Sequence, residues 1–216
     1  MIMESLTSRH FLEIFIRICL TIDDQEIYLS ELDGVIGDGD HGISMVKAFR
    51  AVKREMRAWE NLEIHEILDN AGITVMNSAG GTTGPLFGTF FLKLSNVAKG
   101  KKEIQLVDFV QMLKDAEIGI RELGNANEGD KSLLDTLAPA NRALERAYQE
   151  GRGFPDAIKI METAAYNGWL STKDMVSKIG RSHRLGERTI GHLDAGATSM
   201  YFILREMASV FDVSNE

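Results

Sequence analysis

The 216-residue chain has one cysteine, Cys19, which excludes an intramolecular disulfide and a cysteine-based zinc site. It lies in the apolar run Phe15-Ile16-Arg17-Ile18-Cys19-Leu20, where a buried thiol is expected. Prolines number only three, so little in the sequence forces a helix to stop. Long apolar runs are also missing. No window approaches the roughly 20 residues of a membrane span, and Arg9, Glu13 and Arg17 interrupt the hydrophobic residues near the N-terminus, unlike a signal peptide. Positive charge is in deficit, with 24 Lys and Arg against 32 Asp and Glu, a formal charge of −8. That balance leaves no basic face for a polyanionic backbone. A cytoplasmic protein that engages neither nucleic acid nor membrane is expected.

What is present is helical periodicity. Ile43, Val46, Phe49, Val52 and Met56 fall at three- and four-residue spacings, as do Leu86, Phe87, Phe90, Phe91, Leu94 and Val97. Val107, Val110, Leu113, Ile120 and Leu123 repeat the pattern before Gly124; Leu133, Leu134, Leu137, Leu144, Ala147 and Tyr148 repeat it before Gly151. Both glycines suit the left-handed position that ends a helix. Residues 5–22, 24–35, 64–79, 155–178 and 198–210 extend the helical pattern, giving about nine segments and no convincing strand, although Ile73-Thr74-Val75-Met76 is ambiguous. Linkers, low-complexity tracts and repeats are absent, so residues 1–216 are expected to form a single all-α domain, an antiparallel barrel or bundle.

Glycines gather in the connections, and loops on a rigid scaffold are where sites are usually built. In Asp33-Gly34-Val35-Ile36-Gly37-Asp38-Gly39-Asp40-His41-Gly42, three carboxylates lie within eight residues. Carboxylates held that close repel unless a cation joins them, and an oxygen-only donor set suits Mg²⁺ or Ca²⁺. An Asp/Gly turn with a helix cap is the plainer alternative. An EF-hand is excluded, because Ile43 and Phe49 stand where that loop needs Gly and Glu. Ser78-Ala79-Gly80-Gly81-Thr82-Thr83-Gly84-Pro85 reads either as a phosphate cradle at a helix N-terminus or as a helix–turn–helix junction. Gly124 to Ser132 fails as a Walker A loop, since Asp130 separates Gly129 from Lys131 and no strand precedes it. Lys131 itself suits a phosphate contact or a solvated helix start. Residues 180–196 concentrate three Arg and two His in an acidic protein, a cluster suited to an anion, with Arg184 and Glu187 left unassigned as solvated loop charges.

Together these blocks resemble the DhaL family, the nucleotide-binding subunit of dihydroxyacetone kinases. The resemblance rests on Asp33 with Gly37-Asp38-Gly39-Asp40-His41-Gly42, on Gly80-Gly81-Thr82-Thr83-Gly84-Pro85-Leu86-Phe87-Gly88-Thr89, on Gly129-Asp130-Lys131-Ser132, and on Gly180-Arg181-Ser182 with Gly186-Glu187-Arg188-Thr189-Ile190-Gly191-His192, Asp194 and Gly196-Ala197-Thr198-Ser199. It implies a barrel of eight antiparallel amphipathic helices with ADP or ATP and two Mg²⁺ ions at one end. By matching position, Asp33, Asp38 and Asp40 are the implied metal ligands. His41, Gly42, Ile43, Ser44, Thr82 and Thr83 are the implied phosphate contacts, and Gly124, Leu133, Arg181, Asp194 and Gly196 further nucleotide contacts. Ala195, Leu193 and Leu133 depart from the family's usual Pro, polar residue and Met.

The resemblance further implies phosphoryl transfer to dihydroxyacetone held on a separate ketose-binding, DhaK-like subunit. A DhaM-like phosphohistidine protein would recharge bound ADP, or ATP would exchange as substrate; a homodimer is left open. A kinase subunit for another ketose such as erythrulose, and a non-catalytic nucleotide sensor that binds a transcription regulator, are the alternatives. The three carboxylates favour an enzyme over a sensor.

Overall fold

Phe11, Ile14, Phe15, Ile18 and Ile22 repeat at helical spacing and form the buried stripe of α1 (Ser8–Asp24) in this computed structural model, which describes residues 3–212. Eight more α-helices follow among those residues: α2 (Glu26–Ile36), α3 (His41–Glu55), α4 (Ile64–Ser78), α5 (Thr83–Ala98), α6 (Leu106–Gly124), α7 (Leu134–Gln149), α8 (Phe154–Ser171) and α9 (Ala195–Ser209). From α3 onward each helix packs on its chain neighbour, α9 returns to α1, and α1 packs on α3, so eight helices close a ring. The additional helix, α2, lies against α3 and α9. Thus the all-α expectation holds, and the ninth segment is the one outside the barrel.

The ring is filled by aromatic and aliphatic side chains. Phe91 meets Phe15 and Phe90 at ring-centroid distances of 5.1 Å each and Phe49 at 6.2 Å, joining α1, α3 and α5 at one buried point. Helices α4 and α5 approach closely because both contact residues lack a side chain: a Cβ on Gly72 would lie 3.0 Å from the Gly88 carbonyl oxygen, and one on Gly88 2.8 Å from that of Gly72. Cys19 is buried, its thiol donating to the Phe49 carbonyl at 3.2 Å, and burial pushes its pKa up to about 12.

The structure corrects four local expectations. Residues 5–7 do not begin the first helix; Ser5–Thr7 (β1) pairs antiparallel with Glu103–Gln105 (β2), with buried Leu6 opposite buried Ile104. Strands of three residues are too short to display a period of two. The helix expected over 155–178 stops at Ser171, and a 3-10 turn at Thr172–Asp174 leads into an irregular segment. Asn125, not Gly124, takes the left-handed position after α6, whereas Gly151 does so after α7. Finally, Asp194 starts α9 three residues earlier than the apolar pattern suggests, its Oδ2 accepting from the Ala197 N–H at 2.7 Å.

Candidate functional site

Helices α3, α5, α7 and α9 all begin at the same end of the barrel. Residues at all four N-termini (Asp40 and His41, Thr82 and Thr83, Leu133, Asp194 to Gly196) line one cavity of about 470 Å³, a volume in the range that holds small ligands. A helix start carries a partial positive charge and N–H groups with no partner inside the helix; at α7 those groups are taken up locally, by the Ser132 hydroxyl and by main-chain carbonyls. The Asp40 and Thr82 side chains do not cap their helices, so the first turns of α3 and α5 keep donors available. An anion is the favoured occupant.

The same cavity holds the acidic loop. Asp33, in the last turn of α2, and Asp38 and Asp40, in the loop to α3, each bring a carboxylate oxygen within 4.8 Å of the others. The His41 N–H donates to Asp33 Oδ2 at 3.3 Å, leaving the other carboxylate oxygen uncommitted to it. Across the cavity Arg181 pairs with Asp38, and its second guanidinium nitrogen lies 4.0 Å from Asp40. Helix ends that attract anions therefore sit beside carboxylates that repel them. A hard cation carrying an anionic ligand satisfies both, and the three oxygen donors fit Mg²⁺.

Residues 35–209 match the DAK2 domain. The chain belongs to the DAK2 domain family. It is 36% identical over 181 residues to the ADP-binding subunit DhaL of the PEP-dependent dihydroxyacetone kinase of Escherichia coli (strain K12), covering 84% of this chain and 86% of that subunit. Identity is 31% over 189 residues to the corresponding subunit of the PTS-dependent kinase of Lactococcus lactis, covering 88% and 90%. It is 32% over 197 residues to a D-erythrulose kinase of Mycolicibacterium smegmatis, covering 89% of this chain but 34% of that one. In structure the domain resembles the dihydroxyacetone kinase from C. freundii in complex with AMP-PNP and Mg²⁺, with a TM-score of 0.72 at 22% identity, covering 97% of this chain and 35% of that one. The DAK2 chain thus spans about a third of that kinase, and the likeness establishes the fold.

Ten of the fourteen residues singled out in the sequence line the cavity of this DAK2 domain: Asp33, Asp38, Asp40, His41, Thr82, Thr83, Leu133, Arg181, Asp194 and Gly196. Gly42, Ile43, Ser44 and Gly124 do not. Gly42 faces α2, where a Cβ would overlap the Glu26 carbonyl and the Ser30 side chain, so its absence lets α3 cross α2. Ile43 is 59% exposed, Ser44 is buried behind Gly80, and Gly124 backs Leu86 from outside. The His41 ring is also committed elsewhere, its Nε2 2.8 Å from the Ser199 hydroxyl and its face near Phe87. Burial pulls the His41 pKa down to about 4, against the opposing pull of Asp33. This DAK2 domain therefore holds His41 neutral, and its N–H rather than its ring faces the acidic loop.

Lys131 also lines the cavity, yet it is neither a solvated charge nor a free phosphate ligand. It is 2% exposed, and its ammonium donates to the carbonyls of Met175 (3.2 Å), Thr189 (2.6 Å) and His192 (2.6 Å). Burial lowers its pKa, with Asp194, Asp174 and Asp135 acting the other way. Asp194, the α9 cap, is pushed up to about 7, chiefly by burial and also by Asp135 and Asp33, against the Ala197 hydrogen bond and Lys131.

Several lining residues have no role assigned from the sequence, although Leu86 and Phe87 fall inside a block that carries the resemblance. Ile36, Leu86, Phe87 and Ile179 form an apolar wall with Leu133, but each reads as ordinary core in a periodic helix or irregular segment. Arg184, set aside as a solvated charge, also lines the cavity. Its spacing could have revealed this: in a 3-10 turn such as Ser182–Thr189, residues three apart eclipse, which puts Arg184 on the side of Arg181.

Proposed function

We propose that this chain is the nucleotide-binding subunit of a cytoplasmic dihydroxyacetone kinase, transferring a phosphoryl group to a ketose held on a separate subunit. The observation that carries the reading is the joining of three mutually close carboxylates to four convergent helix N-termini in one cavity. Phosphoryl transfer asks a protein mainly for positioning and electrostatic stabilisation, which such a site supplies without a protein nucleophile. Asp33, Asp38 and Asp40 would hold two Mg²⁺ ions. When bound, the metal would neutralise charge on the nucleotide phosphates. The N–H groups at the starts of α3 and α5, with the Thr82 and Thr83 hydroxyls, orient the phosphates, and the wall of Ile36, Leu86, Phe87, Leu133 and Ile179 shields the base from water. Arg181, already at Asp38 and Asp40, lies where it can meet the charge on the moving group.

Two phosphate sources fit this site: ADP retained as a cofactor and recharged by a phosphohistidine protein, or ATP exchanging as substrate. Relatives that are separate subunits of PEP- or PTS-dependent kinases support the first. The erythrulose kinase among the relatives supports a second acceptor, erythrulose, with the same nucleotide chemistry. Native mass spectrometry of the purified chain, followed by an assay with a ketose-binding subunit and either acceptor, tests the proposal. ADP retained with magnesium, no turnover by the chain alone and turnover restored by the partner are expected. Ketose phosphate formed without a partner would overturn it.

A further inference from the structure

Residues 175–192 run between α8 and α9 with only the 3-10 turn Ser182–Thr189 as regular structure, and only Ser177 and Thr189 among them are buried. Such a segment has little apolar burial to hold it. It nevertheless carries Arg181 to the acidic loop and leads into the Asp194 cap. Lys131 reaches the segment at both ends, at Met175 on one side and at Thr189 and His192 on the other. An ammonium has three N–H donors, and here all three are engaged by main-chain carbonyls. None is left for a phosphate. Lys131 also holds a left-handed backbone, φ 64°, which is uncommon for a residue with a side chain and persists only where the surroundings enforce it.

We propose that Lys131 is a positioning residue that staples the base of the 175–192 segment, so that Arg181 is presented to the carboxylates, and that it never touches the nucleotide. This rests on the nucleotide reading above for its affinity arm, but not for its other arms. The neighbouring contacts fit a staple: the Lys178 N–H donates to the Asp130 carbonyl at 3.1 Å, and the Ser177 N–H to the Thr189 hydroxyl at 2.9 Å. These contacts need the strand of chain around Lys131 and the two ends of the segment to stay together.

Lys131→Met keeps the apolar stem and removes the donors. Hydrogen exchange in the ligand-free protein should become faster across residues 176–191 and stay unchanged in α4 to α6. Mg-ADP affinity should fall about tenfold, as for loss of charged hydrogen bonds. In an Arg181→Ala background the same substitution should cost less than about twofold, because the residue it presents is already gone. Unchanged exchange, or losses that simply multiply, would overturn the proposal.

A wild-type measurement keeps it falsifiable if the variant fails to fold. Acylation of lysines, read by mass spectrometry, should leave Lys131 unmodified with or without Mg-ADP, while Lys178, whose side chain is 61% exposed, reacts. A Lys131 that reacts in the free protein and is protected only by Mg-ADP would be a ligand contact, contrary to the proposal. Failure of wild type to bind Mg-ADP would instead sink the nucleotide reading, leaving the exchange and acylation results to decide on the staple.

Discussion

The His41 imidazole, in the first turn of α3, and the Ser199 hydroxyl, in the first turns of α9, are 158 residues apart in sequence and 2.8 Å apart in space. This bond ties together two of the helix starts that line the cavity, and it does so with a ring that is buried and neutral. The site end of the barrel is therefore fastened beneath the surface that would meet a ligand.

Burial of His41 makes stability depend on pH in a definite direction. Its pKa is about 4 in the folded chain against an ordinary 6.5, so between those values the unfolded chain binds a proton that the folded chain refuses. Stability contributed by neutral His41 is complete above the unfolded value and is lost as pH falls through this window, by about 2 kcal/mol from about pH 7 to about pH 5. Asp194, pushed up to about 7, acts oppositely, so the comparison must be with a variant. Urea unfolding of wild type and His41→Gln should show the extra loss only in wild type. Parallel pH dependence in the two would refute a buried, neutral His41.

Gly42 separates packing from ligand contact. Gly42→Ala puts a methyl group against the α2 backbone at Glu26 and should lower stability by about 1–3 kcal/mol, the usual cost of overpacking. Denaturant unfolding checks the loss. A variant as stable as wild type but weak in Mg-ADP binding would restore Gly42 to the phosphate site.

How far the sequence foretells this arrangement depends on how local each cause is. Helix faces such as Phe11 to Ile22 are legible because their period repeats within one element. The three aspartates are legible because they fall within eight residues. The β1–β2 pair is not, because one apolar contact, Leu6 with Ile104, decides it across about half the chain. Lys131 is not legible either, since its acceptors are carbonyls 44 to 61 residues away, and any residue type supplies a carbonyl. For the four assigned residues outside the cavity lining, position in the motif does not tell where a side chain goes: Gly42, in the first turn of α3, and Gly124, at the end of α6, meet neighbouring packing, and the Ile43 side chain faces outward.

Ligand binding to the folded state alone should raise thermal stability. Mg-ADP at about 100 times its dissociation constant adds roughly 2.7 kcal/mol, which for a chain of this size shifts Tm by about 5–10 °C. The shift should require magnesium, because the carboxylates otherwise repel the phosphates. A melting curve of ligand-stripped protein that ignores Mg-ADP, or responds equally without the metal, would contradict the site.

On the proposed function, Asp33, Asp38 and Asp40 hold metal-bound nucleotide at the converging helix ends. Calorimetric titration of Mg-ADP into stripped wild type and Asp38→Asn decides the point. Removing one charge and one ligand oxygen from the trio should weaken binding at least about tenfold, or 1.4 kcal/mol, with wild type binding at a single site and the folded state intact in both. Equal affinity in wild type and variant would mean that the acidic loop is only a turn before α3 and that the nucleotide, if it binds, does so without this metal site.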